Sequence, residues 1–115
     1  MTERAALIGA VRTALDETFT EYAQLPFFVR PLVKRGFTKR TGHDLESWRA
    51  LLELAARGEA VGLAADLERL AVHYDGAPDR ARRGMGAKPD ELREVERRCA
   101  LRAASVRALA SALSG

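Results

Sequence analysis

The segment Leu45–Tyr74, LESWRALLELAARGEAVGLAADLERLAVHY, constrains the fold more than any other stretch of this chain. Leu45, Trp48, Leu52 and Ala55 recur at steps of three and four, and Leu63, Leu67, Leu70 and Tyr74 do the same. A helix turns once per roughly 3.6 residues, so each set forms one apolar stripe. Gly58 lies between them, where a left-handed residue would end a helix. The spacing therefore predicts two antiparallel helices joined by a tight turn, with one long bent helix as the competing arrangement.

The same periodicity extends to both sides. Ile8, Val11, Leu15, Phe19 and Tyr22 mark a first helix starting at Thr2. Leu92, Val95, Cys99, Ala103, Val106, Ala110 and Leu113 mark a last helix beginning at Pro89. Asp90, Glu91, Glu94 and Glu96 crowd its start, and Arg97, Arg98, Arg102 and Arg107 come after them, which suits the helix dipole. Leu101 and Leu109 form a second row, wider than one neighbour would cover, and suggest self-association.

Two stretches break the pattern. In Leu25–Gly42, Pro26 and Pro31 cannot share one regular helix, so a short helix or two is expected, each starting at a proline and closed by Gly36. Thr41 is expected to cap the next helix, with Asp44 as a capping-box acid. The other stretch, about 75–88, carries glycines and prolines and reads as a mobile loop.

The whole is expected to be one all-α domain spanning 1–115, a mostly antiparallel bundle of four main helices plus a short proline-broken helical element. Its expected core is Ile8, Val11, Leu15, Phe19, Leu45, Trp48, Leu52, Leu63, Leu67, Leu70, Leu92, Val95, Cys99 and Val106. A chain of 115 residues buries one modest core and has little room for a deep active site.

Composition narrows the function classes. The lone Cys99 excludes an internal disulfide and any thiolate-rich metal site, and on the core stripe it reads as packing. No apolar run reaches the roughly 18 residues of a membrane span, and no signal-peptide pattern opens the chain, so a cytoplasmic protein is expected. Hydrolase and metalloprotease motifs are missing, and His43 and His73 each read as a surface or capping residue. His73 as a phosphoryl carrier is disfavoured because Asp75-Gly76 follow almost at once. The sequence implies no cofactor, metal site or catalytic residue. Gly84-Met-Gly-Ala-Lys88 before a helix start resembles a phosphate cradle only loosely, since no strand precedes it.

The strongest local signal is basic and aromatic. Arg30, Lys34, Arg35, Lys39 and Arg40 interleave with Phe27, Phe28, Leu32, Val33 and Phe37, and no acid occurs between Glu21 and Asp44. Such a segment suits an acidic protein partner, a phosphate backbone with stacked bases, or a membrane headgroup layer. Arg80, Arg82 and Arg83 could extend it. The first expectation is thus a small non-catalytic interaction or assembly module that binds a protein partner or itself. The alternative is nucleic-acid binding through residues 27–40. A small enzyme or phosphocarrier has the least support.

Overall fold

The computed structural model describes residues 2–59, 62–84 and 88–114. All regular structure among them is helical: α1 (Thr2–Ala23), α2 (Arg30–Thr41), α3 (Leu45–Ala56), α4 (Leu63–Gly84) and α5 (Pro89–Ser114). The all-α bundle expected from the sequence is what forms. Its helices are three long and two of 12 residues.

The closest pairing is α4 with α5, followed by α1 with α5; α3 lies on α1, and α2 lies on α4. Interhelical ion pairs show the directions. Asp16 meets Arg49 at 2.8 Å while Arg12 meets Glu53 at 2.9 Å, so α1 and α3 run antiparallel. Asp75 meets Arg107 at 2.7 Å and Arg82 meets Glu96 at 3.6 Å, so α4 and α5 do too. Much of the arginine excess is used in this way, clipping neighbouring helices in register. Each exposed clip is worth no more than about 1 kcal/mol, so the clips set alignment more than stability.

Arg102 is the exception. It is buried on α5, and its guanidinium donates to Glu21 of α1 through both terminal nitrogens, Nη1 at 3.1 Å and Nη2 at 2.7 Å. Burial works against its charge, but the hydrogen-bonded Glu21 carboxylate outweighs it and holds the guanidinium above its ordinary range. Because Glu21 keeps partial access to water, Arg102→Ala is expected to cost about 2 kcal/mol in denaturant melts, less than a fully buried pair.

α3 ends as expected. Gly58 is left-handed at φ 77°, and Glu59 N–H donates to the Leu54 carbonyl at 2.8 Å, closing the last turn. The helix before and the helix after it bury their stripes in one cluster with α1 and α5. Within that cluster α3 leans on α1, and its pairing with α4 is not among the close ones.

The two irregular stretches turn out more helical than expected. α2 is one helix: Pro31 sits in its first turn, where no N–H is needed, and Gly36 lies inside it. It ends instead at Gly42, φ 90°, whose N–H reaches the Thr38 carbonyl at 2.8 Å. The expected caps exchange roles. Asp44 is the N-cap of α3, accepting from Ser47 N–H at 2.8 Å. Thr41 is buried at the end of α2, where its hydroxyl accepts the Trp48 indole N–H at 3.0 Å.

The loop expected at about 75–88 is the larger correction. α4 continues past Tyr74 through Asp75, Gly76 and Pro78 to Gly84. Pro78 removes one backbone donor and crowds the preceding turn. Nearby, the Arg80 guanidinium donates to the His73 carbonyl at 2.7 Å. Packing against α5 then outweighs the local preference to stop. Residues 85–87, the middle of the glycine-rich run ending at Lys88, lie outside the described residues.

Most of the expected core is buried; Phe19, Leu45, Leu92 and Val95 are only half-buried. Leu109, expected on a surplus outer row, is fully buried, which leaves Leu101 alone exposed on that row. The broad apolar face that suggested self-association through α5 is thus mostly core.

Candidate functional site

The segment 27–40 is divided by α2 into an inner and an outer face. Val33, Phe37 and Thr41, spaced by four, turn inward. Phe37, expected among the partner-binding aromatics, is instead fully buried, with ring contacts to Phe19 at 4.9 Å and His73 at 5.0 Å. A side chain bonded so closely into the core cannot stack on a ligand.

The outer face carries Leu32, Arg35 and Lys39 at helical spacing, with Lys34 beside them and Phe27 and Phe28 in the turn that leads into α2. Phe27, Phe28 and Leu32 are 79%, 67% and 63% exposed, unusual for such large apolar groups standing together. Phe27 and Phe28 meet edge to face at 5.8 Å. Lys34, Arg35 and Lys39 are also exposed, and no ion pair engages them among the described residues. Arg30 is turned back, its Nε–H donating to the Leu25 carbonyl at 2.7 Å.

Of the other expected cations, Arg82 is held by Asp79 at 2.7 Å and by Glu96, while Arg83 is exposed on the same helix. Arg40 and Arg80 go elsewhere. Both turn onto His73, Arg40 donating through Nε–H and Arg80 through Nη2 to the same ring atom, Nδ1, each at 3.1 Å. Two donors on Nδ1 make it the acceptor and leave the ring proton on Nε2.

His73 therefore departs from the surface position expected for it. It is 3% exposed, in the middle of α4, with edge contacts to Phe37 and Tyr74. Burial, then the charges of Arg80 and Arg40, lower its pKa to about 3. A ring so enclosed and so surrounded by cations is a poor phosphoryl carrier, for a reason other than a nearby helix end. His43 is half-buried, with Nε2 at 3.4 Å from Asp66 and an edge contact to Trp48.

Cys99 is buried, and burial raises its thiol pKa above the ordinary value. A cleft of about 760 Å³ is lined by Glu3, Arg4, Ile8, Arg12 and Glu53 among others, and brings no nucleophile beside a base. Among the described residues no group of three or more His, Cys, Asp or Glu side chains could hold a metal ion. No described helix is long and apolar enough to cross a membrane.

No family model, curated protein or solved structure matches this chain. Any functional reading rests on the chain's own surface.

Proposed function

We propose that this chain is a small non-catalytic interaction module that docks a protein partner on the outer face of α2. The observation that carries the reading is the cluster Phe27, Phe28 and Leu32, exposed together beside Lys34, Arg35 and Lys39. With no acid between Glu21 and Asp44, the complementary surface is an acidic segment carrying apolar anchors. The apolar side chains supply affinity as they leave water, and the cations set orientation and association rate.

A photo-crosslinking residue placed at Leu32 tests this, with the same residue at Val72 on α4 as the comparison. The expected result is a discrete protein adduct at position 32 alone. It should survive nuclease, weaken with salt, and disappear in a Phe27→Ser, Phe28→Ser double variant. An adduct that vanishes with nuclease would transfer the face to nucleic acid, and no adduct specific to position 32 would end the proposal. An adduct between two copies of this chain would make the partner a second copy.

The nucleic-acid alternative has fewer contributors on this face, since Phe37 is buried and Arg40 and Arg80 are drawn toward His73 on α4, away from Lys34, Arg35 and Lys39. With Lys34, Arg35 and Lys39 remaining, duplex binding would show a log K against log salt slope of about −3.

A further inference from the structure

Arg40 and Arg80 are an unusual pair. They come from different helices, meet at one neutral ring nitrogen, and have no carboxylate within ion-pair distance among the described residues. Elsewhere in this bundle the interior-facing arginine, Arg102, is matched by Glu21. Two unmatched guanidinium groups held together repel each other, a cost that solvent screens only in part because Arg80 is half-buried. Their remaining donors are uncommitted: Arg40 keeps both Nη groups, and Arg80 keeps Nε and Nη1.

A second feature fits them to their place. Each arginine lies over a glycine four residues before it, Arg40 over Gly36 and Arg80 over Gly76. A β-carbon at Gly36 would stand 3.0 Å from an Arg40 guanidinium nitrogen, and one at Gly76 would stand 2.9 Å from an Arg80 nitrogen. Both glycines are inside helices, where neither a turn nor a positive φ calls for them. What they provide is room for two guanidinium planes to lie against α2 and α4 and converge.

We propose that Arg40 and Arg80, set by Gly36, Gly76 and His73, form a binding site for a phosphate-type dianion. Two positive charges match its two negative charges. The four uncommitted donor groups exceed what a single carboxylate takes from one fork, and suit a tetrahedral oxyanion with three acceptor oxygens. Arg40 is on the solvent side, so the anion can arrive from outside. The site lies on the flank of α2 that faces α4, apart from Phe27, Phe28 and Leu32, and it does not depend on the partner proposed for that face.

The test is titration with inorganic phosphate against chloride at matched ionic strength, read by the NMR signals of arginine Nε–H groups and by melting temperature. Saturable shifts are expected at Arg40 and Arg80, with a rise in melting temperature that chloride does not give. Arg40→Gln and Arg80→Gln should each weaken binding by about tenfold or more. Gly36→Ala and Gly76→Ala should weaken it as well without lowering the melting temperature, since alanine suits a helix interior better than glycine. Should Arg80→Gln fail to fold, Arg40→Gln and Gly36→Ala decide. Phosphoserine and phosphotyrosine peptides and a nucleoside monophosphate, titrated in parallel, identify the source of the phosphoryl group. Absence of a saturable phosphate effect in the folded protein overturns the proposal, as does an effect retained in Arg40→Gln.

Discussion

Replacing Trp48 by alanine is expected to destabilise the protein by about 3–5 kcal/mol. The indole is fully buried in the cluster that joins α3 to α1, α4 and α5, so truncation leaves a cavity those helices cannot easily fill. It also removes the donor that Nε1 offers to the Thr41 hydroxyl at 3.0 Å, a contact between α2 and α3. Such a loss is a large share of the roughly 5–15 kcal/mol that holds an ordinary domain together. Because Trp48 is the sole tryptophan, unfolding is best followed by circular dichroism in denaturant. Trp48→Phe, which keeps a ring but drops the N–H, should cost nearer about 1 kcal/mol. A loss under about 1 kcal/mol for the alanine variant would mean that this face of α3 is not core.

Trp48 shows what local periodicity conveys. The stripes of α1, α3, α5 and the first half of α4 are repeated every three or four residues, and burial follows them closely. The continuation of α4 could not be read in the same way. Gly76 and Pro78 favour a break, and the force that overrides them is the flank of α5, more than 20 residues away in sequence and brought near only by folding. Phe37 was closer to legible. Val33, Phe37 and Thr41 form an inward row once Pro31 is placed in a first helical turn, but with Gly36 as a terminator the row is cut. The surrounding cations then make Phe37 resemble a surface aromatic.

The arginine pair was hidden for a different reason. Gly36-x-x-x-Arg40 and Gly76-x-x-x-Arg80 share a spacing that is plain in the sequence. That spacing means nothing until α2 is known to lie against α4, because its effect depends on two surfaces facing each other. His73 belongs to the same problem. Read beside Asp75-Gly76 it looks terminal; three residues after Leu70 on an unbroken helix, it turns inward.

That inward position leads to the second large effect, a loss of stability in acid traceable to one ring. Burial and the nearby Arg80 and Arg40 charges put the His73 pKa at about 3, against an ordinary 6.5. Above pH 6.5 the ring is neutral in both folded and unfolded chains, and contributes no pH dependence. Below it the unfolded chain binds a proton that the folded chain refuses. Stability must then fall as pH falls, by about 1.4 kcal/mol per pH unit, until the folded ring also protonates. Between pH 6.5 and 4.5 the share due to His73 is thus about 2–3 kcal/mol, and it continues to grow toward pH 3. Paired carboxylates add their own acid sensitivity, so the comparison that isolates the ring is His73→Asn, whose amide oxygen takes the place of Nδ1 and can still accept from the two arginines. Denaturant melts at pH 7 and pH 4.5 should show the wild type losing about 2–3 kcal/mol more than the variant over that interval. Parallel losses in the two proteins would mean that the ring is accessible enough to protonate in the folded state. The arginines would then not be holding a neutral acceptor between them.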